Sequence, residues 1–418
     1  MNKTGQSFFL HGPGGTGKTY VYNTLCHYLR GQGKIVLCAA SSGIAALLLI
    51  GGRTAHSFFK IPIKIHESST CCIGKHTDLA ELICITDLVI WDEAPMLHCH
   101  IHEAVDHTFH DIHNYDQPFG GLTVVFGGDF KQILPVIVKG SRAQIVGASL
   151  QRSVLWPSIE VLRLTENMQL NTNREAEHIF SQWQLDLGHG QHTDESDDIV
   201  LPDHFKCQEN SVASLINNIY PGVHHMAGNS DQYYSEWTIL CSCNDDVDDI
   251  NNTILEKFPE EAKVFHGADS ILNNHGNGQE GILMYPVEYL NSINCSGVPL
   301  AKLTLKIGCP IMILRNLNAS EGVCNGSCGI ITRIGNHSQV LEVWLLTGEQ
   351  AGQTIFIPHI SLTPTDTQIP FEFCCRQFPV QLCFSMTINK SQGQSVKHVE
   401  LNLCSSVFAH GQLYVAVS

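Results

Sequence analysis

The chain has 418 residues, with 24 Lys and Arg against 40 Asp and Glu, for a formal net charge of −16. That length excludes a single small module, and a composition of 43% hydrophobic and 15% charged residues excludes a disordered or fibrous protein. The acidic balance excludes a protein that coats nucleic acid by bulk charge, so any contact with nucleic acid rests on local basic patches.

Seventeen cysteines are spread along the chain without a repeating framework, as in the pairs Cys71-Cys72 and Cys374-Cys375, which reads as reduced thiols rather than a disulfide scaffold. Residues 35–52 carry no charge, but Ser41-Ser42-Gly43 cuts them into a short strand and a short helix, so no membrane span is expected. The start of the chain lacks the apolar core of a secretory peptide, and the protein is expected not to be secreted.

In chain order, an apolar run from Ser7 to Leu10 predicts a strand. A glycine-rich turn follows, then Val21, Leu25, Tyr28 and Leu29 spaced along one helical face, stopped by Gly31 and Gly33. Buried strands are predicted at residues 35–40, 88–91 and 122–126, separated by helix-length segments, and this alternation implies a parallel α/β sheet. Residues 188–203, with Asp194, Glu195, Asp197 and Asp198, read as an exposed acidic connection. Strand and helix signals resume at residues 237–241 and 245–255. Between residues 283 and 364 short β-like runs at 301–306, 311–314, 329–334 and 340–346 predict a small barrel inserted in an α/β domain.

Gly12-Pro13-Gly14-Gly15-Thr16-Gly17-Lys18-Thr19 fits G-x-x-x-x-G-K-[ST] between a strand and a helix. Backbone N–H groups there curl around a β-phosphate and the helix N-terminus favours the anion. Lys18 is placed to bridge the β- and γ-phosphates, and the Thr19 hydroxyl to ligate Mg²⁺. A predicted strand ends in Asp92 and Glu93: Asp92 is placed to hold the same Mg²⁺, and Glu93 to orient or deprotonate an attacking water. Another ends before Gln132, placed to sense the γ-phosphate. A base for water, with no second substrate pocket evident, favours hydrolysis of a nucleotide over its mere storage.

Longer signatures follow in order: Trp91-Asp92-Glu93-Ala94-Pro95-Met96, Gly127-Gly128-Asp129-Phe130-Lys131-Gln132, Cys324-Asn325-Gly326, Met386-Thr387-Ile388-Asn389-Lys390-Ser391-Gln392-Gly393-Gln394 and His410-Gly411-Gln412-Leu413-Tyr414-Val415-Ala416. With these the chain resembles the petite-integration-frequency (Pif-like) DNA helicases of superfamily one, especially eukaryotic forms associated with Helitron transposons. The resemblance implies two RecA-like P-loop NTPase domains with a small β-barrel-like insertion in the second. The expected division is residues 1–165, a first part of the second domain at 166–282, the insertion at 283–364, and a remainder at 365–418. It implies ATP as substrate with Mg²⁺, single-stranded DNA and duplex junctions as partners, 5′ to 3′ unwinding, roles in repair, recombination and telomere maintenance, and a nuclear or mitochondrial location.

Three acid-free stretches supply phosphate-tracking cations: Arg53, Lys60 and Lys64 around the further signature Thr54-Ala55-His56-Ser57-Phe58; Lys302, Lys306 and Arg315 around Leu303-Thr304-Leu305-Lys306 and Leu314-Arg315-Asn316-Leu317; and Arg376, Lys390 and Lys397 around the Met386 signature. The expected DNA contacts are His56, Phe58, Lys306, Lys390, Gln392 and Gly393, with His56 and Phe58 able to stack on bases. The family places an arginine after Glu166-Asn167-Met168, where this chain has Gln169, and another beyond His410, where the sequence reaches Ser418; the chain is expected to be clipped at both ends. An arginine finger contributes roughly 10³ to 10⁵ in rate. The alternative is therefore a decayed transposon-derived protein that binds nucleotide and single-stranded DNA. A GTPase is disfavoured because Asn389-Lys390-Ser391-Gln392 lacks the acid that reads guanine. His98, Cys99, His100, His102, His107, His110 and His113 crowd one segment, with His102, Asp106 and His110 on one helical face as a zinc alternative; a solvent-facing helix is the preferred reading.

Overall fold

The computed structural model describes residues 5–418 except 138, 171–174, 192–198, 203–204, 208, 210, 224–230, 272–284, 292, 294–296, 319–321, 336–338, 349 and 365–370. The four acids of the expected connection lie outside the described residues. The chain forms two compact units: Met1–Lys206 with Gln392–Gln394 and Val407–Ser418, and Cys207–Ser391 with Ser395–Ser406.

The first unit is built on β1 (Ser7–His11), α1 (Lys18–Gly31), β2 (Val36–Ala40), α2 (Gly43–Leu47), β3 (Arg53–Thr54), α3 (Ala55–Phe58), α4 (Asp78–Ile85), β4 (Leu88–Asp92), α5 (Cys99–His113), β5 (Thr123–Gly128), α6 (Arg142–Gly147), β6 (Ile159–Arg163) and α7 (Glu175–Gly188). Its six strands are all parallel, in the order β3-β2-β4-β5-β1-β6. Every residue of β2 and β4 is buried, because helices cover both faces of such a sheet. Strand alternation sorts the residues between two cores. Leu37, Ala39, Val89 and Trp91 join Phe9, Phe109 and Phe126 on one side, and Val36, Cys38, Ala40 and Ile90 join Tyr22 and Cys26 of α1 on the other. The uncharged stretch divides into β2 and α2, with Ser42 capping α2 through Ala45 N. Among the described residues no helix is long and apolar enough to cross a membrane.

Two expectations change here. The first unit runs on to Lys206 rather than stopping at residue 165, because α7 packs with the last helix of the chain: the Gln184 side chain donates to Val417 O. Sequence order could not bring those segments together. The helix after β4, expected to face solvent, buries Cys99, Ile101, His102, Glu103, Ala104, Val105, Asp106, Thr108 and Phe109. His102 lies with its ring 4.8 Å from Trp91, and Asp106 accepts from Phe119 N at 2.6 Å, so the His102, Asp106 and His110 face is spent on packing and loop bonding.

The second unit holds α8 (Val212–Ile219), α9 (Asp231–Glu236), β7 (Trp237–Cys241), α10 (Asn244–Lys257), β8 (Lys263–His266), β9 (Ala268–Ile271), α11 (Val287–Asn291), β10 (Lys302–Leu305), β11 (Pro310–Ile313), β12 (Cys328–Ile334), β13 (Val340–Leu345), β14 (Thr354–Pro358), β15 (Ile360–Leu362), β16 (Phe373–Gln377), β17 (Val380–Leu382), β18 (Ser385–Thr387), α12 (Ile388–Ser391) and β19 (His398–Asn402). Its parallel core is β18-β7-β19, with Ile216 and Ile219 of α8 and Ile250 and Ile254 of α10 in the same hydrophobic cluster as Ile239 and Cys241. The β-rich region, expected as a small barrel, holds an antiparallel sheet in the order β14-β13-β12-β11-β17 and a second sheet, β15-β16-β9. Local alternation identifies such strands, but β11 pairs with β17, some 70 residues on, through contacts that no local pattern specifies. The last helix, α13 (Gln412–Val417), belongs to the first unit.

Candidate nucleotide site

The register of the first sheet aligns Leu10 with Gly127, and Trp91 with Phe126, so β1, β4 and β5 end at one edge. Ligands bind outside the carboxyl ends of parallel strands. Between β1 and α1 the chain turns through Gly15 at φ 75° and Gly17 at φ 86°, left-handed values that side chains disfavour. Helix α1 has neither a side-chain cap nor an acid in its first turn, which leaves its leading N–H groups to an anion. Lys18 Nζ donates to Gly12 O at 2.6 Å and Pro13 O at 3.1 Å, and Thr16 Oγ1 to Pro13 O at 2.8 Å. Thr19 is half-buried on the first turn.

Asp92 is 4% exposed, and its Oδ1 accepts from Glu93 N at 2.9 Å. Burial raises its carboxyl pKa, with Lys18, the Glu93 N–H and the Tyr22 hydroxyl working against that rise. Glu93 sits at φ 54°, a strained conformation for a glutamate. Burial first, then the charge of Asp92, push its carboxyl up to about 7, opposed by Lys18 and Gln392. Tyr22 was not singled out by the sequence. It is fully buried, and a Cβ on Gly127 would lie 1.5 Å from its hydroxyl oxygen and 3.2 Å from Asp92 Oδ1, so Gly127 makes room for a phenol beside the acid. The signal available was spacing: Tyr22 is one helical turn after Lys18.

Gln132 and Gln392 meet at the same acid. Gln392 Nε2 donates to Gln132 Oε1 at 2.7 Å and to Glu93 Oε2 at 3.1 Å. Gln392, expected on DNA, is 5% exposed and lies with the carboxylates. Gly393 stands against the start of α2, where a Cβ would be 3.4 Å from Ala45 N. Burial raises Asp129, but hydrogen bonds from His11, the Lys131 N–H and the Tyr414 hydroxyl outweigh it and hold the carboxyl below its usual range. The segment after β6 closes onto the phosphate loop. Met168 N donates to Gly15 O at 3.0 Å, Gln169 N donates to Asn167 Oδ1 at 3.0 Å, and the Gln169 side chain is exposed.

The remaining expected DNA contacts divide by unit. In the first, Arg53, Lys60 and Lys64 are exposed, and His56 is half-buried, with burial lowering its pKa. Phe58 is half-buried against the core, its ring 5.1 Å from Phe59 and 5.9 Å under the Arg53 guanidinium. In the second, Lys306 is 8% exposed and its Nζ donates to Phe258 O at 2.6 Å. It holds the end of α10, and the expectation of a phosphate contact there is corrected. Lys390 Nζ donates to Gln381 Oε1 at 3.0 Å, and burial lowers its pKa.

Residues 1–198 match the PIF1-like helicase family, and residues 288–334 match the 2B domain of DNA helicase Pif1. The chain is 25% identical over 427 residues to the human ATP-dependent DNA helicase PIF1, covering 99% of this chain and 57% of that protein. It is 24% identical to the Campylobacter jejuni ATP-dependent DNA helicase Pif1, covering 98% of this chain and 86% of that one. Its fold matches the Bacteroides Pif1 helicase in complex with ADP-AlF3 and ssDNA at a TM-score of 0.68, with 24% identity, over 99% of this chain and 86% of that one. The chain thus spans just over half the length of its human relative.

Proposed function

We propose that this chain, whose residues 1–198 match the PIF1-like helicase family and residues 288–334 the Pif1 2B domain, is an ATP-dependent DNA helicase, moving 5′ to 3′ on single-stranded DNA and opening duplex junctions. The observation that carries the reading is the convergence of Lys18, Asp92, Glu93, Gln132 and Gln392 at one edge of a parallel sheet. The backbone N–H groups of residues 14–19 cradle the phosphates. Lys18 exchanges its bonds to Gly12 O and Pro13 O for the β- and γ-phosphates. Thr19 and Asp92 would hold Mg²⁺, which supplies charge neutralisation on the phosphate oxygens. The donor set fits a hard cation, being a hydroxyl and a buried carboxylate.

Glu93 takes the proton from the attacking water, and its raised pKa suits it to that transfer near neutral pH. The Gln132 amide reads the γ-phosphate. Its bond to Gln392, which also holds Glu93, ties loss of that phosphate to the Lys390-Ser391-Gln392-Gly393 segment. Arg53, Lys60 and Lys64, with His56 and Phe58 among them, are offered to the DNA strand. The likeness to eukaryotic DNA-processing relatives favours a nuclear location, with the mitochondrion as the alternative.

Strand displacement on a duplex carrying a 5′ single-stranded tail tests this reading: ATP-dependent product is expected, with none from a 3′-tailed duplex. Equal displacement of both, or none with either, contradicts it. Gln169 favours a slow motor, because an amide beside the phosphate loop cannot neutralise charge as an arginine does.

A further inference from the structure

The start of α5 gathers donors that the nucleotide chemistry does not use. His98 caps the helix by accepting from His100 N at 3.2 Å, and Cys99 and His100 open its first turn. Histidine is a poor cap beside Ser, Thr, Asp or Asn, so another use of this ring costs the helix little. Cys99 Sγ lies 3.6 Å from His98 Nδ1 and 3.8 Å from His100 Nδ1, and one donor atom from each of the three residues lies within 4.8 Å of the others. With zinc bonds of about 2.3 Å to sulfur and 2.0–2.1 Å to nitrogen, a tetrahedral site needs S···N edges of about 3.6 Å. The two S···N distances already match. His100 Nδ1 also lies 2.6 Å from Glu103 Oε2, while Glu103 Oε1 accepts from Ser153 Oγ at 2.7 Å. A cation can replace the proton shared by His100 Nδ1 and Glu103 Oε2, binding to the nitrogen and the carboxylate together.

We propose that His98, Cys99 and His100, with Glu103 completing the set, form a binding site for a zinc-class divalent metal, apart from the phosphate-binding residues. Binding forms metal–nitrogen and metal–thiolate bonds; the Cys99 thiol proton leaves to solvent, and the proton between His100 Nδ1 and Glu103 moves to His100 Nε2 or leaves with it. Cys99 N donates to Ala148 O at 2.8 Å, and its Sγ is 3.7 Å from Gly147 O. The ion would brace the first turn of α5, the helix that follows the Asp92-Glu93 strand end, while Cys99 N keeps its bond to Ala148 O.

The test is titration of the metal-stripped full chain with Co²⁺. The expected result is a near-ultraviolet thiolate-to-cobalt band saturating at one equivalent, abolished by Cys99→Ser, weakened by His98→Gln with His100→Gln, and retained by Cys72→Ser and Cys404→Ser, which change exposed thiols elsewhere. Absence of the band from the unaltered chain, or its survival in Cys99→Ser, overturns the proposal. X-ray absorption on the zinc-loaded unaltered chain does not depend on a variant folding. One sulfur with nitrogen and oxygen neighbours is expected, and a shell of only sulfur or only oxygen overturns the assignment.

Discussion

Two lysines make almost the same contact and do opposite work. Lys18 and Lys306 each donate from Nζ to a backbone carbonyl at 2.6 Å, to Gly12 in one case and to Phe258 in the other. Lys18 lies at the open edge of the parallel sheet, on a loop whose glycines and uncapped helix end leave N–H groups aimed at the same space. An anion arriving there finds the amine and the N–H groups together. Lys306 is 8% exposed, next to β10 and the apolar cluster around Phe258, and removing its amine leaves a buried carbonyl without its donor. The contact alone does not distinguish a ligand-binding lysine from a structural one; access for the anion does.

The comparison breaks or sharpens at four points. Lys18→Ala is expected to lower ATP turnover by about 10³, the upper end for removing one donor to developing phosphate charge, with single-stranded DNA affinity unchanged in a fluorescence anisotropy titration. Glu93→Gln is expected to lower turnover by about 10² while a fluorescent nucleotide still binds. In the unaltered protein the rate climbs with pH and levels above about 7, as Glu93 ionises, and the variant loses that limb. The same raised pKa acts on stability with the opposite sign. Its contribution is present below the ordinary glutamate range and is lost as pH rises through about 7, so the melting temperature falls where activity rises.

Gln169→Arg is expected to raise turnover by about tenfold or more, since it puts charge beside the loop; steady-state rates at saturating ATP check it. Lys306→Ala is expected to cost about 1–3 kcal/mol of folding stability by urea unfolding, through the orphaned Phe258 carbonyl. Its DNA affinity should keep the salt slope of the unaltered protein. A slope smaller by about one would mean that the amine meets a phosphate, and the contrast between the two lysines would fail.

The nucleotide edge was legible because its requirements are local. Positive φ at Gly15 and Gly17, a lysine at the helix start and two acids at a strand end are fixed by short spacings that a sequence displays. Tyr22 and Asn167 escaped because their roles arise across the fold: one fills the space over Gly127, the other lies against Gly15. Gln392 was singled out for DNA, and only the folded chain brings it to Glu93 and Gln132. Lys306 failed for a complementary reason. An acid-free stretch records where charges lie along the chain and says nothing of which amines turn inward. The strands of the β-rich region were readable from alternation, while their pairing was not, because β11 takes β17 as a partner across a long separation.

The most direct measurement is steady-state ATP hydrolysis by this chain, with and without single-stranded DNA, beside Lys18→Ala. Turnover that DNA stimulates and that vanishes in the variant is the expected result. Turnover indifferent to Lys18, or nucleotide held without turnover at any DNA concentration, would contradict the reading of this sheet edge as the engine of a helicase.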